Sequence, residues 1–501
     1  MFVKKEIMNR VRTRIAPSPT GDPHVGTAYI ALFNRCFSHK NKGDFILRIE
    51  DTDQLRSTKE SEKGILDSLR WLGLSWDEGP DKPGKYGPYR QSERAEIYSK
   101  HSDILLKTGR AFHCFCSQER LNVLRQNQMQ DKIQVGYDGH CLNLSEKEVQ
   151  DKLDLGEDHV IRMKIPETGE CTFNDLLRGE ICIEWSQIDM QVLMKSDGLP
   201  TYHFANVVDD HLMAISHVIR GEEWINSVPK HLLLYEYFEW TPPIFCHMPL
   251  LRNPDKSKLS KRKNPTSIGY YRAMGYLPEA VTNYLGMMGW SMPSGEEKFT
   301  AEEMISNFDI SRVSLGGPIF DVEKLSWLNG KYLREEVSDK EFIERFVSWI
   351  ASEEKLSSIT PLIKERVEKF SDVVELSSFF VSAELKISED SFSHKKLDID
   401  TSVKILQFTL WRLENLRSWT SDEIRLELQS ISDAMDLKIR EFLFPLFVAI
   451  TGNAISVSVI ESISILGIDM VRMRLRTAID ILGGISKKKQ KAFDKEYREL
   501  P

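Results

Sequence analysis

The order of hydrophobic and polar positions divides this chain into an α/β part and a helical part. Near the amino end, Thr13 to Ala16 predicts a short strand and Pro17 to Pro23 a Pro/Gly loop. Apolar Ala28, Ala31, Leu32 and Phe33 then predict a helix that starts near Gly26. Phe45 to Ile49 predicts a second apolar strand, which runs into Glu50-Asp51-Thr52-Asp53. Strand, helix, strand, with acids at a strand's carboxyl end, is the pattern of a nucleotide-binding α/β fold. Residues 115–195 are polar and turn-rich and predict an insertion. Strand and helix signals return from Thr201 to Tyr237, and a Lys-rich loop follows at Asp255–Asn264. After about residue 330 glycine and proline thin out. Val471, Leu475, Ala478, Ile479 and Leu482 then recur at helical spacing, and Gly483 supplies a cap. The last third is therefore expected to be all-helical. There is no internal repeat and no low-complexity segment.

A chain of 501 residues fits about three domains. Its amino end has no apolar core of a signal peptide. The most apolar stretch, Phe442 to Ile460, is broken by Pro445, Gly452 and Asn453 and reads as buried helix rather than a membrane span. Seven scattered cysteines, an odd number, favour free thiols in a reducing compartment, so a cytoplasmic protein is expected. The net charge of −8 argues against a polyanion partner, unless a basic face is local. Lys487, Lys488, Lys489 and Lys491, with Arg472, Arg474 and Arg476, could form such a face, and a solvated lysine run is the plain alternative.

Two loops carry candidate chemistry. Arg14-Ile-Ala-Pro-Ser-Pro-Thr-Gly-Asp-Pro-His24-Val-Gly26-Thr27 takes a strand through a proline-stiffened loop onto a helix start, where free amides favour anions. His24 can donate to phosphate oxygens there. No obvious nucleophile is present, so the expected chemistry is charge stabilisation. Lys258-Leu-Ser-Lys261-Arg262 is a cationic loop that could clamp a triphosphate, although such runs are usually solvated surface. Arg14, Glu50 and Arg220 end strand-like segments. Tyr202 and Asn206, four apart, can share a helical face.

The first loop resembles the HIGH signature of class I aminoacyl-tRNA synthetases in its glutamyl/glutaminyl form, and Lys258–Arg262 resembles KMSKS. The strings R-I-E-D-T-D, Gly87 to Arg94, Lys195 to Met213 and His217 to Trp224 are similar to those of glutamyl-tRNA synthetases. The resemblance is dense over roughly residues 10–335 and thinner beyond. It implies a Rossmann-type catalytic domain (1–115 and 196–265) with an acceptor-end-binding insertion (116–195). A stem-contact region (266–330) and an all-helical anticodon-binding domain (331–501) would follow. It implies His24, Lys258 and Lys261 as catalytic. Pro17, Ser18, Gly26, Thr27, Glu223, Lys258, Leu259, Ser260, Lys261 and Arg262 would meet ATP. Arg14 and Arg220 would hold glutamate carboxylates, Glu50 would meet the amino group, and Ser18, Tyr202 and Asn206 would complete the pocket. Arg366 falls near where relatives read the anticodon, and Lys487 and Lys488 are further tRNA candidates. The implied partners are ATP with Mg²⁺, L-glutamate and tRNA(Glu), acting on a monomer with no membrane.

Some relatives bind zinc in the insertion. Cys114, Cys116 and Cys141 would be ligands here, but Asn143 stands where those relatives have Cys or His. Tyr137 or His140 would have to substitute, and loss of the metal is the alternative.

The implied reaction is ATP-dependent ligation of L-glutamate to the 3′ end of tRNA(Glu) through glutamyl-adenylate, with release of pyrophosphate and AMP. An enzyme that also charges tRNA(Gln) remains an alternative. A glutaminyl-tRNA synthetase would usually end in β-barrels, and the short relatives that glutamylate a modified tRNA base lack an anticodon domain. A catalytically inactive RNA-binding homologue is disfavoured by the intact His24, Lys258 and Lys261.

Overall fold

The computed structural model describes residues 10–260, 265–416 and 418–500. These divide into two units, one within Met1–Lys258 and Pro278–Leu328, the other within Leu259–Leu277 and Asn329–Pro501.

The first unit holds all nine named strands. β1 (Arg12–Ile15) pairs in parallel with β2 (Asp44–Leu47). A parallel pair needs a crossover, and the helix Val25–Lys40 supplies it, with Val25, Ala28, Ala31, Leu32 and Phe33 fully buried. Both strands sit close to where the hydrophobic pattern predicts them. β3 (Ala111–Cys114), β4 (Val160–Met163) and β7 (Val192–Met194) form an antiparallel sheet. A second sheet runs β6 (Gly179–Glu184), β5 (Glu170–Asp175), β9 (Ile244–Met248), β8 (His217–Gly221). Ser216 ties it to β1: its N–H donates to the Arg12 carbonyl at 3.0 Å and its hydroxyl accepts from the Arg12 N–H at 2.8 Å.

Two expected boundaries change. The stretch 116–195 is not wholly separate, because β5 joins β9 in parallel at Asp175↔Phe245. The stretch reads as a polar, turn-rich insertion in sequence, yet the end of β5 is stitched into the main sheet. The region 266–330 also splits: residues to Leu277 go with the second unit and residues from Pro278 with the first.

The second unit is helical, as the loss of glycine and proline suggests. Its core gathers Leu406, Phe408, Phe442, Leu446, Val471, Leu475 and Ile479 from several helices. The helix Ile439–Thr451 carries Pro445 and stops at Gly452, whose φ of 81° suits glycine. Among the described residues, no helix is long and apolar enough to cross a membrane. The seven cysteines are all free.

The expected basic face is corrected in part. Arg472 and Arg474 are buried. Arg472 pairs with Glu414 and Asp469, and Arg474 donates to the carbonyls of Ile450, Phe379 and Ser382. Arg476 shares Glu414. These arginines lie on the helix Ile468–Ile481, whose apolar stripe turns them inward. Lys487, Lys488 and Lys491 stay exposed, on the helix Lys487–Arg498 rather than on a loose run. Lys489 pairs with Asp400 at 2.7 Å.

Candidate active site

The site is built where β1, β2 and β8 end. His24 caps the helix Val25–Lys40: its Nδ1 accepts from the Gly26 N–H at 2.8 Å. Accepting at Nδ1 puts the proton of a neutral ring on Nε2. The ring thus serves the helix with Nδ1 and stands at an anion-favouring helix start. A Cβ on Gly26 would stand 3.0 Å from Nδ1 and crowd the ring. The Pro17 carbonyl accepts from the Glu50 N–H at 3.1 Å, and this brings the loop beside the acidic end of β2. Pro17 and Thr27 are partly buried and Ser18 is exposed.

Beneath the loop lies a buried ion cluster. Arg14 donates from Nε and Nη2 to the two oxygens of Asp210, at 3.0 and 3.1 Å. Arg48, fully buried, donates to Asp210 at 2.7 Å and to Glu50 at 3.1 Å. Arg94 donates to Asp209 at 2.7 Å, and Gln91 and Tyr98 also donate to Asp209. Asn206, with its amide oxygen toward Arg48 (2.9 Å), donates to Asp210 at 3.1 Å. Three guanidiniums thus meet three carboxylates. Burial alone would raise the Asp210 pKa, but Arg14 and Arg48 hold it below the usual carboxylate range. Burial raises the Glu50 carboxyl despite Arg48 and Arg14.

Arg220, only 5% exposed, is treated differently. Among the described residues no carboxylate lies in ion-pair range of it. Its Nε donates to His247 Nε2 at 3.1 Å, Nη1 lies 3.4 Å from His231 Nδ1, and Nη2 donates to the Trp224 carbonyl at 3.3 Å. Burial lowers its pKa, the mark of a cation short of counter-charge. Tyr202 packs against Trp224, ring centroids 4.5 Å apart. Burial pushes the Tyr202 phenol up to about 12, and it feels Glu50, Arg220, Arg14 and Asp210 together. It therefore stands between the two halves of the pocket.

The residue after β8 that matters for the cationic loop is Glu223, whose Oε1 lies 4.0 Å from Lys258 Nζ. Lys258 is 64% exposed, so this pair is loose. Asn253 pins the loop base by donating to Ser257 Oγ and the Lys258 carbonyl. Leu259 and Ser260 begin the second unit, and Lys261 and Arg262 lie outside the described residues.

In the insertion, Cys114, Cys116 and Cys141 place their sulfurs within 4.8 Å of one another. The Tyr137 hydroxyl joins them, 3.4 Å from the Cys114 sulfur and 3.6 Å from that of Cys116, and accepts from the Cys141 N–H at 2.9 Å. His140 and Asn143 are exposed and are not in this group. Tetrahedral zinc, with Zn–S near 2.3 Å, needs sulfurs about 3.8 Å apart, and Cys116 and Cys141 lie 3.6 Å apart. The Arg162 guanidinium sits 4.2 Å from the Tyr137 ring centroid, a cation beside donors that would be anionic. Three sulfurs and one phenol thus fit a four-coordinate metal. In the second unit, Arg366 is exposed and donates to the Ser456 carbonyl at 2.9 Å.

Sequence reasoning missed Arg48, Arg94, Asp209, Asp210, Asp175, His231 and His247. One signal was available: Arg48 is a charge between Leu47 and Ile49 in an apolar strand, and such a charge must find buried partners.

The catalytic-domain model of "tRNA synthetases class I (E and Q)" matches residues 10–327, and an "Anticodon binding domain" model matches residues 341–479. The chain is 60% identical to a glutamate–tRNA ligase of Marinomonas sp. (strain MWYL1) over 493 residues, 98% of this chain and 100% of that protein. It is 58% identical to a glutamate–tRNA ligase of Pseudomonas aeruginosa (strain PAO1) over 494 residues, 99% of this chain and 100% of that protein. A crystal structure of a glutamate tRNA ligase from Elizabethkingia meningosepticum CCUG26117, in complex with its amino acid, matches with a TM-score of 0.65 and 35% identity, covering 94% of this chain and 99% of that one.

Proposed function

The chain belongs to the class I tRNA synthetases of the E and Q branch, and we propose that its pocket at the ends of β1, β2 and β8 is where L-glutamate is activated for transfer to tRNA. The enzyme is an ATP-dependent glutamate–tRNA ligase. In the first step the α-carboxylate of glutamate attacks the α-phosphorus of ATP, and pyrophosphate leaves. In the second, the 2′-hydroxyl of the terminal adenosine attacks the activated carbonyl, and AMP leaves. Mg²⁺ arrives with ATP and neutralises phosphate charge.

The residues divide this work by charge. Arg220 takes the side-chain carboxylate of glutamate, and the observation that carries this reading is its burial with no acidic ion-pair partner among the described residues. Glu50, at the edge of the ion cluster, meets the ammonium group. Tyr202 spans the two. His24 donates from Nε2 to a phosphate oxygen, and Lys258 follows the charge that moves onto pyrophosphate, with Ser18 and Glu223 beside ATP. No covalent enzyme intermediate is needed, so the protein contributes positioning and charge. Exposed Arg366, Lys487 and Lys488 are the tRNA contacts of the helical unit. The test is ATP–pyrophosphate exchange with glutamate and tRNA, followed by aminoacylation of separately purified tRNA(Glu) and tRNA(Gln). Exchange that is absent with glutamate would remove the reading, and the two tRNAs report whether one or both are charged.

In the insertion, Cys114, Cys116, Cys141 and Tyr137 would hold a zinc ion that ties β3 to the loop carrying Tyr137. Elemental analysis should give about one zinc per chain and none in Cys141→Ser. Zinc-free wild-type protein with unchanged thermal stability would argue for a small thiol-lined core instead.

A further inference from the structure

We propose that His231 and His247, with Asp175 behind, are positioning and specificity-determining residues that hold Arg220 through neutral nitrogens and so leave its charge to the substrate. This rests on the assignment of Arg220 to the side-chain carboxylate of glutamate.

The topology makes the arrangement. β5, β9 and β8 are neighbours and carry Asp175, His247 and Arg220; Asp175 stands opposite Phe245 in register and reaches His247, two residues on, by hydrogen bonds. Arg220 and His247 are direct cross-strand partners. Asp175 Oδ2 lies 2.6 Å from His247 Nδ1 and also accepts the His247 backbone N–H at 3.1 Å. A guanidinium N–H can only donate, so the His247 nitrogen that faces it must be unprotonated. That requires the proton on Nδ1, where the Asp175 carboxylate fixes it. His231 comes from the helix Val228–Tyr237 on the other side. By the same logic its Nδ1 faces Arg220 unprotonated, and its Nε2–H donates to His203 Nδ1 at 3.0 Å. Burial, then the neighbouring Arg220 charge, keep His231 neutral.

The acids of the pocket are committed elsewhere. Asp210 serves Arg14 and Arg48, Glu50 serves Arg48, and Asp209 serves Arg94. Asp175 is kept one imidazole ring away, behind His247. A carboxylate placed directly on Arg220 would satisfy it, and an arriving glutamate would then meet a neutral pair. With neutral acceptors, the guanidinium is rigid but uncompensated. Glutamate completes it, whereas glutamine leaves a buried charge unmatched.

The test separates charge from shape. His231→Gln keeps a neutral acceptor, and His231→Glu adds an anion in surroundings where Arg220, Arg14 and Lys230 favour its ionised form. His247→Glu alone would share a proton with Asp175, so the second arm is the double variant Asp175→Asn/His247→Glu. Each is assayed by ATP–pyrophosphate exchange with tRNA, for glutamate and glutamine, beside Arg220→Gln and a thermal melt. For folded His231→Glu, KM for glutamate should rise about 30-fold with kcat little changed, and the glutamate-to-glutamine ratio of kcat/KM should fall about tenfold or more. His231→Gln should hold that ratio within about threefold. The double variant should behave like His231→Glu, and it decides the matter if the single variant does not fold. A folded anionic variant with the wild-type ratio, or equal loss of the ratio in Gln and Glu variants, overturns the proposal. If Arg220→Gln itself keeps the wild-type ratio, the assignment of Arg220 falls as well. Loss in Arg220→Gln with retention in both anionic variants removes only this inference.

Discussion

Arg14 and Arg220 stand near the carboxyl ends of two strands joined through Ser216, and both are buried, yet the protein treats them in opposite ways. Arg14 is held bidentately by Asp210, inside a cluster where guanidiniums and carboxylates balance. Arg220 is held by two imidazoles and a carbonyl. The first is a closed account of charge, and on the proposed function the second is the one left open for a ligand. Arg474 in the helical unit shows what else an open account can mean. Burial lowers its pKa to about 10 and its hydrogen bonds go to three carbonyls, but these belong to two separate segments of backbone, so it ties chain together. Under the proposed function, lack of counter-charge points to a ligand at Arg220 because the residue lies near the carboxyl end of a parallel strand, where such sheets collect ligands.

Breaking the closed side should cost the most stability. Asp210→Asn leaves Arg14 and Arg48 without their shared carboxylate. Removing one partner of such a buried pair costs about 3–5 kcal/mol, which should appear as a large fall in Tm and in soluble yield. A variant as stable as wild type would show that the cluster is not structural. On the open side, His24→Ala should keep the fold and slow adenylate formation by about 10²-fold. Stopped-flow rates within about threefold of wild type would remove His24 from the phosphate site.

Much of the pocket was legible in the chain, and the reason is local. The strand before Pro17, the helix after His24 and the acidic end at Glu50 each follow from short-range pattern, so Arg14, His24 and Glu50 could be named from sequence. The helical face shared by Tyr202 and Asn206 is equally local. Partners were harder, because they depend on which strands become neighbours. Nothing near Arg220 in sequence announces His247 or Asp175, which meet it only through the β5–β9–β8 order. The same blindness hid the pairing of Arg14 with Asp210, and made Arg472 and Arg474 look like surface. Lys261 and Arg262 are named by their resemblance to the cationic signature and lie outside the described residues.

The two sides should also part company with pH. Asp210 has a lowered pKa in the folded state, so its contribution is present above the unfolded carboxylate value and is lost as pH falls below about 4. The histidines around Arg220 are lowered by burial, His203 to about 4. The unfolded chain takes up their protons first, so this side loses stability as pH falls from about 6.5. His203→Gln should therefore flatten the stability profile between about pH 6 and 4.5, by up to about 1.4 kcal/mol per pH unit. A profile unchanged from wild type in denaturant titrations would show that His203 is not held neutral. The smallest effect belongs to the helical unit. Each of Lys487→Ala and Lys488→Ala should reduce the log–log salt dependence of tRNA affinity by about 0.7–0.9 if it meets a phosphate. Identical slopes would return these lysines to plain surface.

The most direct test of the difference between the two arginines is amino-acid choice in the activation step. Glutamate and glutamine have nearly the same shape, so only charge can separate them. The measurement is kcat/KM for both, by pyrophosphate exchange in the presence of tRNA, in wild type and Arg220→Gln. A site of this kind should prefer glutamate by roughly 10⁴-fold, and the variant should lose most of that preference because glutamate use collapses far more than glutamine use. Equal losses for the two amino acids would show that Arg220 holds the α-carboxylate common to both, and the open charge would then not be the source of specificity.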